Sequence, residues 1–140
     1  MSKNCRFAVA VHTCALLAIE GSQPVTSEWI AGSVNTNPVV IRRIVSALAR
    51  AGLVTTLRGA NGGSQLAKPA GAITLLAIAK AVDEDEAPAL HNQPPNPLCP
   101  VGRNIQTALV KVIDQAEAAR EAVLAATLLA DVVADIRVLG

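Results

Sequence analysis

Hydrophobic positions recur at helical spacing along most of this chain. Phe7, Val11, Cys14 and Ala18 fall four, three and four apart, which predicts a first helix over 3–20 with one apolar stripe and a stop at Gly21. Thr26 or Ser27 is placed to cap a second helix, with Glu28 favourable in its first turn. Asn35-Thr36-Asn37 reads as a turn, and Pro38 suits the first position of a third helix, where its missing N–H costs nothing. Ile41, Ile44, Val45 and Leu48 form that helix's inner face, Arg42, Arg43, Ser46 and Arg50 point elsewhere, and Gly52 ends it. Leu53 to Leu57 and Gln65 to Ala67 read as short strands around Arg58–Gly63, whose three glycines and Asn61 tolerate positive φ. Thr74 is placed to cap a fourth helix reaching Val82.

The pattern changes after Val82. An acidic run, 83–86, precedes Pro88, Pro94, Pro95, Pro97 and Pro100, so 83–102 reads as a loop. From about Arg103 an apolar seam runs through Ile105, Leu109, Val112, Ala116, Ala119 and Val123, then Ala126, Ala130 and Val133. The spacing alternates four and three for about four heptads, and a seam that long behind a Pro-rich loop is expected to pack on a partner. Thr127 could cap a second short helix and break the seam there. The predicted fold is mainly α with a small β-hairpin: a winged helix-turn-helix over 1–82, a Pro-rich candidate sensing loop over 83–102, and a dimerisation helix with the C-terminal tail over 103–140.

Composition narrows what such a fold can do. Half of the 140 residues are apolar (51%), enough for a core, but Phe7 and Trp29 are the only aromatics. Base stacking on aromatic platforms is therefore not expected, which argues against most single-strand and RNA binders. The net charge of +1 conceals an asymmetry: residues 1–80 hold eight Lys/Arg against Glu20 and Glu28, a balance of +6, whereas residues 81–140 hold four against nine acids, a balance of −5. A basic half suits a polyanion. The opening residues imitate a secretory signal, but His12 and Thr13 interrupt the apolar run and no clear cleavage site follows, so export is not expected. No uncharged apolar stretch approaches the roughly 20 residues of a membrane span. Three cysteines without regular spacing imply no disulfide framework and fit a reducing cytoplasm.

In the helix-turn-helix reading the third helix enters the major groove of duplex DNA, with Asn37, Val39, Val40, Arg42 and Arg43 towards the bases. Thr26 and Ser27 open the second helix and suit a phosphate. The loop RGANGG is no phosphate-binding P-loop, because it sits in a hairpin and lacks the Lys-Ser/Thr pair. As a wing, it brings backbone at Gly59, Asn61 and Gly62 to a phosphate and offers Arg58 to a minor groove. No catalytic constellation or metal-ligand cluster stands out: His12 and His91 lack a Ser or Cys partner at a recognisable spacing, so no enzyme is expected. Cys99 precedes Pro100 at the entrance to the long helix, near Arg103, a setting that favours a reactive thiol.

At the level of whole motifs the chain resembles the Rrf-two-type bacterial winged-helix regulators, the family of the iron–sulfur cluster regulator and the nitric-oxide-sensing repressor. The resemblance rests on RFAVAVHTCALLA, TSEWIA, NTNPVVIRRIVSALARAGLV, LRGANGGSQLAKPAGAITL and the CPVG-to-LADVV tail. It implies a homodimer crossed through the long helix and bound to a roughly two-fold operator, usually as a repressor. It puts Arg42 and Arg43 at base-reading places and Arg58 at the wing's minor-groove place. Cluster-binding relatives hold iron with three cysteines before the long helix; this chain has only Cys99 there, so no cofactor or metal is expected and a single-thiol sensor of oxidants or electrophiles is. Two rival readings stand beside this one: a regulator sensing through a cluster or another ligand, and a winged helix kept for binding proteins.

Overall fold

The computed structural model describes residues 5–82 and 90–140. Its elements run α1 (Arg6–Glu20), α2 (Ser27–Val34), α3 (Pro38–Arg50), β1 (Val54–Leu57), β2 (Gly63–Leu66), a 3₁₀ turn (Ala70–Ala72), α4 (Leu75–Val82), α5 (Pro100–Ala126) and α6 (Leu129–Leu139). They divide into two compact units, 1–84 with 124–140, and 85–123. The acidic run at 83–86 and Pro88 lie outside the described residues.

The first unit is built around α1, which packs against α2, α3, α4, α6 and β2. The face α1 buries is not quite the stripe expected from the sequence: Cys14 is buried, but Phe7, Val11 and Ala18 are only partly so, and Val9, Ala10, Ala15 and Leu17 are buried instead. With neighbours on several sides, a wider arc than one stripe is covered. Buried Thr13 is accommodated because its hydroxyl donates to the Val9 carbonyl one turn back (2.8 Å). Ile30, Ile41, Ile44, Leu48, Ile73, Ile78 and Leu129 complete the aliphatic core.

Capping chemistry sets the helix starts. The Thr26 hydroxyl accepts from Trp29 N–H (3.1 Å), so Thr26 rather than Ser27 caps α2. Asn35 is the left-handed residue of the turn (φ 67°), and Asn37 Oδ1 accepts from Val39 N–H (2.8 Å) with Pro38 following. Thr74 accepts from Ala77 N–H (3.0 Å) ahead of α4.

The hairpin pairs Val54 with Leu66, Thr55 with Gln65, Thr56 with Ser64 and Leu57 with Gly63. Its strands start one residue later and two residues earlier than the sequence suggests, because β2 also reaches back to the chain entering α2. Val25 N–H donates to the Ser64 carbonyl (3.0 Å) and Ser64 N–H to the Val25 carbonyl (2.8 Å). Gly63 permits this approach; a Cβ there would sit 2.6 Å from the Val25 carbonyl oxygen. The Gln65 amide donates to the Ser22 carbonyl, so the wing is tied to the helix-turn-helix at two points. Asn61 does not use positive φ; the glycines at 59 and 63 do.

Two helix boundaries differ from expectation. The long helix starts at Pro100, three residues before Arg103, because proline serves as its first residue and the Cys99 carbonyl accepts from Arg103 N–H (2.8 Å). It ends at Ala126, but the next helix is capped through Leu128, not Thr127: Asp131 Oδ2 accepts from Leu128 N–H (2.8 Å). The break is imposed by tertiary contact. Leu75 N–H donates to the Thr127 carbonyl (2.9 Å) and Leu129 N–H to the Ile73 carbonyl (2.8 Å), which pulls Leu128 into an extended conformation opposite Thr74. The seam therefore stops at the break. Beyond it, Leu129 and Val133 are buried in the first unit's core.

Candidate nucleic-acid interface

The exposed side of α3 carries Val39, Arg42, Arg43, Ser46 and Arg50, opposite buried Ile41, Ile44, Val45 and Leu48. Val39 is 47% exposed at the helix start, an apolar group of the kind that meets a thymine methyl. Val40 is half-buried and faces solvent least of the five expected base-facing residues. Asn37 is exposed, with Oδ1 committed to the cap.

Between α3 and the hairpin lies a groove of about 620 Å³ lined by Ser27, Arg42, Ser46, Thr56 and Arg58, among others. It brings together residues from the start of α2, the middle of α3 and the wing, as far apart in sequence as Ser27 and Ser64. Gly59 and Asn61 are exposed at the wing tip, whereas Gly62 is half-buried, and a Cβ on Gly62 would run into the Leu57 carbonyl oxygen. Thr26 is exposed; its oxygen accepts the α2 capping bond, which leaves the hydroxyl proton to donate to a phosphate-like acceptor.

Some features of this face escape a reading of the sequence. Arg42 Nη2 donates to Glu28 Oε2 (2.9 Å), joining α3 to the first turn of α2. Among the described residues Arg43, the neighbouring arginine, makes no ion pair. Trp29 stands 59% exposed on α2, and Arg50 donates to Ser46 Oγ (3.3 Å). The signal for Glu28 was present, since it lies fourteen residues before Arg42 across a turn, but only the angle between the two helices brings them together.

The other expected sites fall elsewhere. Ile105 is half-buried and Leu109, Val112, Ala116, Ala119 and Val123 are exposed along α5, a helix of 27 residues of which none is buried within one chain. Cys99 is exposed at the head of α5; the Arg103 guanidinium is directed to the Pro97 carbonyl (3.3 Å). His12 does find a serine: its Nε2 lies 2.8 Å from Ser33 Oγ, linking α1 to α2, with no carboxylate among the described residues to orient the ring. His91 is exposed. No helix of the described residues is long and apolar enough to cross a membrane.

A basic helix face beside a Gly-tipped hairpin, on a helix-turn-helix, defines a winged-helix DNA-binding protein. The chain belongs to the Rrf2 family, described as "Iron-dependent Transcriptional regulator", which matches residues 3–135. It is similar to the Bacillus subtilis (strain 168) protein named "Putative HTH-type transcriptional regulator YwnA", with 42% identity over 129 residues that cover 92% of this chain and 95% of that one. Among solved structures it is similar to one titled "Crystal structure of a putative DNA binding protein" (TM-score 0.73, 38% identity, 91% of this chain and 97% of that one). It is also similar to CymR (YrzC), the global cysteine regulator of B. subtilis (TM-score 0.65, 25% identity, 96% and 95%). The chain is thus a DNA-binding transcriptional regulator of the Rrf2 family.

The family description raises iron, and the thiols of the described residues do not form a gathered donor set for an iron–sulfur cluster. An iron–sulfur cluster is held by thiolates. Cys14 is buried, and desolvation pushes its thiol up to about 12, so it keeps its proton. Cys5 precedes α1 and Cys99 heads α5; among the described residues no three His, Cys, Asp or Glu side chains are grouped to hold a metal ion.

Proposed function

We propose that this protein is a homodimeric, sequence-specific repressor of the cytoplasm, without catalytic activity or a resident cluster, whose hold on DNA responds to oxidants or electrophiles through Cys99. In this reading residues 1–82, with α6 packed on them, bind DNA; 83–102 carry the signal; and α5 joins two copies. Val39, Arg42 and Arg43 read base edges of a two-fold operator. Thr26, Ser27 and the wing backbone at Gly59, Asn61 and Gly62 grip phosphates, and Arg58 enters the minor groove. The observation that carries the reading is the division of α3: five aliphatic side chains buried on one side, and Val39, Arg42, Arg43, Ser46 and Arg50 on the other, beside the wing.

The apolar seam of α5 supports the dimer, since a long helix with no buried residue leaves Leu109, Val112 and Val123 in water unless a second copy covers them. Exposure of Cys99 supports the sensor. Its sulfur would attack the O–O bond of a hydroperoxide and take one oxygen as sulfenic acid. The other oxygen leaves as water from hydrogen peroxide, or as the alcohol from an organic hydroperoxide, the sulfur being oxidised by two electrons and the peroxide reduced by two.

The test is selection of duplexes from a random pool by the reduced protein, followed by competition between the selected duplex and a scrambled one across a salt series. A single palindromic consensus, preferred by about 10³-fold or more and weakening steeply with salt, is the expected result. Equal competition by both duplexes overturns the reading.

A further inference from the structure

The face assigned to DNA carries a carboxylate. Glu28 stands in the first turn of α2, where the helix N-terminus favours a negative charge, and its Oε2 accepts from Arg42 Nη2 at 2.9 Å. Both side chains are more than half exposed (62% and 56%), so the pair does little for folding. Its consequence lies in how it divides two adjacent arginines. Arg43 points a full positive charge at the solvent, while Arg42 shares its charge with Glu28.

Resting on the reading of this face as the DNA interface, we infer that Glu28 is a specificity-determining residue, which reserves Arg42 for base edges and withholds it from phosphates. A phosphate approaching Arg42 meets the Glu28 carboxylate as well, and the two anions repel. Guanine O6 and N7 are neutral acceptors, so a base edge meets no such repulsion. A guanidinium has five N–H donors, and the one given to Glu28 leaves others for a base while fixing the plane of the group. The groove that Arg42 lines with Ser27, Ser46 and Arg58 is where that plane is presented. A lysine in place of Arg42 would lack the remaining fork, and Arg42 without Glu28 would be open to the nearest phosphate.

The test compares Glu28→Gln, which keeps size and hydrogen bonding but removes the charge, with Glu20→Gln, a control for net charge at an exposed site at the end of α1. The probes are the duplex selected by the wild-type protein and its scrambled counterpart. Glu28→Gln should bind the scrambled duplex more tightly, and its salt slope should steepen by about 0.9 per protomer as Arg42 takes up a phosphate. The ratio of selected to scrambled affinity should fall by about fivefold or more, the low end of what one arginine–guanine pair discriminates. Glu20→Gln should leave the ratio alone, and in an Arg42→Ala background Glu28→Gln should no longer change it. An unchanged ratio, an equal fall with Glu20→Gln, or an undiminished effect without Arg42 overturns the inference. If the wild-type protein itself fails to discriminate the two duplexes, it is the underlying DNA-binding reading that falls.

Discussion

Val112→Glu probes the proposed dimer where the structure makes it most vulnerable. Within one chain Leu109 is 37% exposed, Val112 60% and Val123 65%. Burying what remains of these three amounts to about one and a half aliphatic side chains per protomer, or about 2.5–5 kcal/mol, and twice that for a symmetric pair. Val112 alone accounts for about 1–2 kcal/mol per protomer, so about 2–4 kcal/mol for the dimer. Glutamate removes that contribution and adds the penalty of an unpaired charge at an apolar seam. The dissociation constant should therefore rise by at least about 30- to 1,000-fold. Because Val112 is largely exposed in the single chain, the fold should survive: far-UV circular dichroism should match that of the wild type. Sedimentation equilibrium over a dilution series spanning the wild-type transition reads the outcome, and operator affinity should fall in parallel. Superimposable mass curves for the two proteins would refute the seam as the dimer contact.

Arg43→Ala should cost operator binding about 1–3 kcal/mol and random-duplex binding much less, measured by fluorescence anisotropy; equal losses would make Arg43 a phosphate contact. Cys99→Ser should bind the operator as the reduced wild type does and ignore peroxide in the same assay, and a retained response would move the sensor elsewhere. Burial raises the Cys14 thiol from 9.0 to about 12, so the folded chain keeps a proton that the unfolded chain releases first. That stabilisation is complete below pH 9.0 and erodes between pH 9.0 and about 12, by about 1.4 kcal/mol per pH unit. Urea melts should show the erosion in the wild type and its absence in Cys14→Ala; parallel pH profiles for the two would contradict it.

Much of this protein is written locally. The α3 boundaries follow from Asn37 as cap, Pro38 as first residue and Gly52 as stop, and its buried face from the spacing of Ile41, Ile44, Val45 and Leu48. These are effects within a turn or two of helix, so neighbouring residues suffice to determine them, and the same holds for the Thr26 and Thr74 caps. Membership of the Rrf2 family was legible in the motifs for a related reason: the wing and its exit need particular residues at particular backbone positions. What only the folded chain decided involves groups far apart in sequence. The seam that periodicity carries through Val133 is cut at Leu128, because Ile73 and Leu75 capture the chain by hydrogen bonds from more than fifty residues away. Arg42 reads as one of two equivalent arginines until the crossing of α2 and α3 sets Glu28 beside it. Periodicity registers which side of a helix is apolar; it carries no record of which other element arrives there, and that arrival determines both the end of α5 and the charge that Arg42 presents.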